Sequence, residues 1–390
     1  MVRFSIATRL FCALSALSLA SQIHAKDEVR PEIPAPEAAP IAMLYDLQSG
    51  RTLFQRDVDR RFAPASITKV MTTYVAFSKL KEGDASLRQQ TGVRPETFRE
   101  WSGKGSTMYV PHDAVLTLDQ LLHGITTVSG NDASVILAEA MGGSVDNWLA
   151  LMNDSARRIG MKNSHFGTPN GWPDEGRTFT TARDLVTLGS SLLRDFGEEY
   201  RHFYGKRTYT YNNITQNNHD PITSKVDGAD GIKTGFTNQA GYGFLGTAER
   251  EGRRLMMVVA ASDRANLRNT AARNLIEWGF LETRNRMLFA PADPVATIPV
   301  QNGDTRRLDV VSEHGVFATL MEGEDLRDVK LSIRYAGPVV APIEDGEQVA
   351  WLDVSHGTAA SYSIPLYASR SVDTANPFER MYNGLAGLFS

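Results

Sequence analysis

The sequence predicts an α+β protein: helices packed on an antiparallel sheet, followed by a smaller β-rich domain. Three observations carry this. An apolar hairpin pattern spans Ala42–Arg56, and a stretch of helical patterns fills most of Ser66–Leu193. Two β-rich runs, Gly241–Arg250 and Gly252–Ser262, then precede a last helical pattern from Arg264 to Trp278. Over residues 283–375 the pattern is one of short strand-like runs, separated by Gly, Pro and Asp turns.

Taken in order, the chain opens with Arg3 and Arg9 ahead of an apolar stretch from Leu10 to Ala20, too short to span a bilayer. With small or aliphatic residues at Ile23-His24-Ala25, residues 1–25 read as a secretory signal peptide and Lys26 as the mature start. Its removal deletes two arginines, no acid, and Cys12, the only cysteine. The mature chain is therefore more acidic than the formal charge of −4, which gives no reason to expect nucleic acid as a partner. Without a thiol it must be held by its core alone. A chain of 390 residues, 42% of them hydrophobic, is long enough for two domains.

Residues 26–40 carry four prolines and no apolar period, and read as a linker. In the hairpin, Met43, Leu44 and Tyr45 face Thr52, Leu53 and Phe54 across Gln48-Ser49-Gly50. Helices are predicted over Ser66–Leu80, Leu118–Thr126 after a Thr117 cap, Asp132–Met141, Val145–Ile159 and Thr181–Leu193. The run Leu255–Ala261 is apolar enough for a strand covered on both faces. These patterns place one domain at 41–282 and a β-rich domain at 283–375, with strands near Leu331–Tyr335 and Val349–Val354. In residues 376–390, Phe378, Met381, Tyr382, Leu385, Leu388 and Phe389 share one helical face. That helix either lies in a membrane interface or docks on its own domain; two glycines, one arginine and no lysine leave both open.

The chemistry centres on Pro64-Ala65-Ser66-Ile67-Thr68-Lys69. A serine hydroxyl needs a base within hydrogen-bond reach to act as a nucleophile. Three residues on along a helix, the Lys69 amine shares its face. Desolvation and a neighbouring cation would lower the lysine pKa enough for it to accept a proton. The spacing alone is weak evidence, since Ser78 and Lys81 repeat it. What singles out the first pair is the later arrival of Ser129-Gly130-Asn131 and Lys233-Thr234-Gly235, each the only triplet of its type in the chain.

Each member has a physical job. Ser129, on a loop between helices, can relay a proton between Lys69 and a leaving amine. Asn131 can hydrogen-bond a substrate amide. Lys233 on a strand edge adds positive charge, orienting Ser129 and keeping Lys69 neutral. Thr234 can meet a carboxylate, and Gly235 permits close backbone approach. Backbone N–H groups of Ser66 and Phe236 are the candidate oxyanion donors.

Ordered this way, the three motifs resemble those of β-lactamases and penicillin-binding proteins. Pro64–Thr72, Val128–Ala133, Phe166–Gly171, Thr180–Leu185, Asp230–Tyr242 and Leu275–Phe280 extend the match. The chain resembles the low-molecular-mass penicillin-binding proteins that act as D-alanyl-D-alanine carboxypeptidases. The resemblance implies a transpeptidase/β-lactamase-like catalytic domain, a β-rich stalk and an amphipathic anchor on the outer face of the inner membrane, facing the periplasm. It implies peptidoglycan peptides ending in D-Ala-D-Ala as substrates and β-lactam antibiotics as acylating inhibitors. Arg268 matches the family arginine for the terminal carboxylate, with Arg264 as a nearby alternative. The sequence departs from relatives at Phe236, often polar or histidine there, and at Asn218, where some place a second arginine.

A class A-like β-lactamase is the nearest rival and would need a Glu to activate the deacylating water. The sequence after Ser129 offers only Asp174 and Glu175. A silent scaffold is the second rival, opposed by the intact motif residues. Eight scattered histidines without paired spacing predict no metal site, and no cofactor fingerprint is present.

Overall fold

The computed structural model describes residues 39–356 and 361–376. The expected signal peptide, nearly all of the linker and the terminal segment after Asn376 lie outside the described residues. The chain divides into two units, one running to Gln48 and then over Thr52–Thr283, the other comprising Ser49–Arg51 with Arg284 onward.

The first unit opens with β1 (Ile41–Asp46) and β2 (Thr52–Arg56), paired antiparallel as the alternation predicts. A 3-10 turn over Ala65–Thr68 leads into α1 (Lys69–Lys81). Then come β3 (Gln90–Gly92), α2 (Pro95–Trp101), β4 (Val115–Thr117), α3 (Leu118–Thr127), α4 (Asn131–Gly142) and α5 (Val145–Arg158). Next are α6 (Ala182–Asp195), α7 (Gly197–Phe203), and the small hairpin β5 (Thr208–Tyr211) with β6 (Ile214–Asn217). Strands β7 (Ala229–Thr237), β8 (Gly241–Arg250) and β9 (Arg253–Ser262) precede α8 (Ala265–Glu282).

Caps set several helix starts. The Thr117 hydroxyl accepts from the Gln120 N–H while the Gln120 side chain accepts from the Thr117 N–H, a reciprocal capping box. Thr181 accepts from the Asp184 N–H in the same position of α6. The short α2 and α7 were not predicted. Seven residues each span under two turns, too few for a helical period to emerge.

The sheet runs β2-β1-β9-β8-β7, antiparallel throughout. Central β9 explains why its sequence reads as one apolar run. Met256, Val258 and Ala260 enter the core shared with α1 and α3–α6, whereas Leu255, Met257 and Val259 enter the core under α8. Both faces are covered, so every position needs an apolar side chain. Each fully buried residue of this kind contributes about 1.5–3 kcal/mol. An aspartate at Val258 would break the layer. At the other side of the sheet, β7 forms the edge, and that edge carries Lys233, Thr234 and Gly235.

In the second unit, β10 (Thr283–Phe289) pairs with β13 (Val316–Met321). A six-stranded sheet runs β14-β16-β17-β12-β11-β15, built from β11 (Pro294–Gln301), β12 (Arg307–Val311), β14 (Val329–Arg334), β15 (Val339–Val340), β16 (Gln348–His356) and β17 (Tyr362–Ala368). The expected runs at Leu331–Tyr335 and Val349–Val354 fall on β14 and β16. In β16, Ala350, Leu352 and Val354 alternate inward to a core with Ile298, Leu308 and Leu366.

Candidate active site

The nucleophile sits on a turn, not inside the predicted helix. Ser66 belongs to the 3-10 turn, and α1 proper begins at Lys69. The cause is the packing around Ala65, whose φ of 49° is left-handed. Gly171 presses against the Ala65 carbonyl, where a Cβ would stand 1.8 Å from the oxygen, and Gly235 lies so close to the Pro64 carbonyl that a Cβ would meet it at 2.4 Å. A 3-10 turn eclipses positions i and i+3. Lys69 Nζ accordingly stands 2.9 Å from Ser66 Oγ.

Lys69 is 1% exposed, and its amine also lies 2.8 Å from Asn131 Oδ1 and 2.7 Å from the Asn170 carbonyl oxygen. Burial lowers its pKa well below that of an ordinary lysine; the Lys233 charge adds to this, and Asp132 opposes it. The motif around Ser129 is braced from below. Ser129 has φ 64° between α3 and α4, and buried Asp132 accepts from the N–H groups of Met108, Ala133 and Val110 at 2.8, 2.8 and 3.2 Å. Asn131 Nδ2 donates to the Lys104 carbonyl at 2.9 Å. Both ends of the Asn131 amide are therefore engaged, with its oxygen serving Lys69 first.

Lys233 is buried on β7, and burial followed by the Arg268 charge brings its pKa down to about 7. It donates to the Thr234 carbonyl at 3.2 Å; that bond, not one to Ser129, is what orients it here. Arg268 on α8 donates from Nη1 to the Gly243 carbonyl and from Nε to Asn269 Oδ1, both at 2.7 Å. Burial lowers its pKa to about 10, still a cation at neutral pH.

Ser66, Ser129, Asn131, Thr234, Phe236 and Arg268 all line one cleft of about 820 Å³, and Gly235 forms part of its wall. Arg264 does not line it. Phe236 is 47% exposed and stacks on Tyr242 with ring centroids 4.1 Å apart. Sequence reasoning missed Trp172, His219 and Asn269 in the lining, and Asn170 behind Lys69. Only Asn170 carried a signal, as part of the Phe166–Gly171 segment. Among the described residues, no aspartate or glutamate lines the cleft. Asp174 turns away, its carboxylate accepting from the Thr178 N–H at 3.0 Å and hydroxyl at 2.6 Å.

A serine 2.9 Å from a buried lysine of lowered pKa, beside a cleft that Arg268 also lines, defines a serine acyl-transfer enzyme of the penicillin-recognising type. Residues 27–263 match the D-alanyl-D-alanine carboxypeptidase family, and residues 284–374 match the penicillin-binding protein 5 C-terminal domain. The chain belongs to the D-alanyl-D-alanine carboxypeptidase family. It is 30% identical over 389 residues to D-alanyl-D-alanine carboxypeptidase DacA of Haemophilus influenzae, covering 97% of each chain. It is 29% identical over 396 residues to DacA of Escherichia coli K12, covering 100% of this chain and 96% of that one. The solved penicillin-binding protein 5 of H. influenzae superposes with a TM-score of 0.76 at 29% identity, covering 88% of this chain and 99% of that chain. The ampicillin-bound penicillin-binding protein D2 of Listeria monocytogenes gives 0.56 at 27% identity, covering 62% and 97%.

Proposed function

We propose that this serine-type D-alanyl-D-alanine carboxypeptidase removes the terminal D-Ala of peptidoglycan pentapeptides through an acyl-enzyme on Ser66. The observation that carries this reading is the 2.9 Å approach of the buried Lys69 amine to Ser66 Oγ. Neutral Lys69 accepts the Ser66 proton as Oγ attacks the carbonyl carbon of the penultimate D-Ala. The oxyanion forms toward the N–H groups of Ser66 and Phe236, each such donor being worth about 10²–10³ in rate. The proton then passes by way of Ser129 to the leaving nitrogen, the peptide C–N bond breaks, and free D-Ala departs. Water attacks the remaining ester as its proton passes to Lys69, the carbonyl carbon–Oγ bond breaks, and Lys69 returns the proton to Oγ, restoring the Ser66 hydroxyl. Arg268, Lys233 and Thr234 hold the substrate's terminal carboxylate, which selects a peptide end over an internal bond.

β-Lactams mimic the acyl-donor bond and acylate Ser66. Among the described residues no aspartate or glutamate lines the cleft, so the carboxylate base with which a class A-like β-lactamase activates its deacylating water is missing there. The adduct is therefore long-lived. The test is incubation with a purified pentapeptide muropeptide, following loss of one D-Ala by mass, beside labelled penicillin. Rapid penicillin turnover without D-Ala release would overturn the reading.

We further propose that the leader pattern over 1–25 directs export to the periplasm and that the apolar repeat in the sequence of 376–390 holds the protein to the outer surface of the inner membrane. No described helix is long and apolar enough to cross a membrane. Truncation before Asn376 is expected to move the protein from the membrane to the soluble fraction; unchanged membrane association of the truncated chain would refute the anchor.

A further inference from the structure

We propose that Asp119, His123 and His202 form a binding site for one zinc-type divalent ion, separate from the acyl-transfer cleft. None of the three lines that cleft. Asp119 and His123 stand four residues apart on α3 and so share a face, and α7 brings His202 to it from far along the chain. This is why no histidine spacing announced the cluster.

The geometry is convergent. The Nε2 atoms of His202 and His123 approach the same Asp119 Oδ1, at 3.2 and 3.9 Å. One ligand atom from each residue lies within 4.8 Å of the others. Donors on a tetrahedral zinc ion, bound at about 2.0–2.2 Å, stand roughly 3.4 Å from one another, close to these separations. Two imidazoles and one carboxylate suit zinc, whereas calcium and magnesium take oxygen ligands.

The donors are held ready by contacts that do not depend on an ion. The His123 ring stacks on Tyr209, with centroids 5.6 Å apart, and packs on Phe203 at 4.8 Å. The Thr126 hydroxyl, on the same helix, donates to the Phe203 carbonyl at 3.0 Å and ties α3 to α7. The Lys206 ammonium, the nearby cation, donates to the Arg201 carbonyl at 3.2 Å. Side-chain exposures of 38% at Asp119 and 55% at His202 leave an open side for entry and for a fourth, water ligand. An ion here would clamp α3 to α7, and α3 ends two residues before Ser129.

The test is calorimetric titration of the metal-stripped full chain with Zn²⁺, alongside H202A, D119N and the H123A/H202A double variant, each checked for folding by penicillin labelling. One equivalent is expected in the unaltered chain. Loss of one ligand should weaken binding by at least the roughly tenfold that even an outer ligand contact is worth. The double variant should lose the stoichiometric event, and Co²⁺ loaded in place of zinc should show the intense visible bands of a tetrahedral site. No zinc isotherm in the unaltered chain, or an isotherm unchanged in the double variant, would overturn the proposal. The first result would reduce the cluster to a surface ion pair.

Discussion

The 3-10 turn and helix α1 together carry the same residue spacing at their start and at their end, and the two ends behave as different chemistry. At its start Ser66 and Lys69 meet in a buried pocket, with the amine 2.9 Å from the hydroxyl and two further acceptors around it. At its end the Ser78 hydroxyl donates to Glu82 Oε1 at 3.1 Å, and the exposed Lys81 donates to the Asp195 carbonyl while lying over the Phe196 ring. The difference is not spacing but surroundings. Desolvation turns a lysine into a base; a solvated lysine keeps its proton and finds acceptors elsewhere.

The largest test of this contrast is Ser66→Ala, expected to lower D-Ala release by about 10⁴-fold or more and to abolish penicillin labelling. Ser78→Ala should leave both unchanged, and equal effects at the two serines would erase the distinction. Next, Lys69→Ala is expected to cost about 10²–10⁴ in acylation rate, with Lys81→Ala neutral, as read by rapid-mixing penicillin capture. The pH profile carries a sign. Because the Lys69 pKa is lowered, the amine is protonated and idle below that value and active above it, so kcat/KM rises along an acid limb that lies below the range of an ordinary lysine. Above about pH 7, Lys233 loses its charge in the free enzyme, and KM should climb while kcat changes little.

Arg268→Ala is expected to raise KM and lower kcat/KM by about 10–100-fold, while a substrate amidated at its C-terminus should be indifferent to the change. The smallest effects compare glycines flanking α1. Gly171 has φ 76° and backs the nucleophile turn, whereas Gly83 has φ 81° with open space around it. Gly171→Ala should cost about 2–5 kcal/mol and slow labelling, against about 1–2 kcal/mol and unaltered labelling for Gly83→Ala, as measured by thermal unfolding and penicillin capture.

What was legible in the sequence follows the range of the interactions. Strand β9 was legible because burial on both faces writes itself as seven consecutive apolar or small residues, Leu255–Ala261. The helix starts at Thr117 and Thr181 were legible because a cap acts within three residues. Ser66, Lys69, Ser129, Asn131, Lys233 and Thr234 were legible as an ordered set of sparse motifs. The turn at Ser66 was not, since it is imposed by Gly171 and Gly235, which reach it from distant segments. For the same reason Trp172, His219 and the bracing role of Asp132 were silent: a carboxylate holding the amides of Met108 and Val110 has no local pattern.

The three neighbours of the Lys69 amine settle the direction of its lone pair. Carbonyl and amide oxygens only accept, so Asn170 O and Asn131 Oδ1 each claim one N–H bond. A neutral amine has two N–H bonds and one lone pair. In that neutral form the lone pair is left for the Ser66 hydroxyl, 2.9 Å away, whereas the protonated form donates its third N–H to the same oxygen. Free rotation about the last carbon–nitrogen bond, which makes most lysines indiscriminate, is thereby arrested before any substrate arrives. When the proton crosses, all three N–H bonds of the new ammonium find acceptors already in place, and no heavy atom has to move.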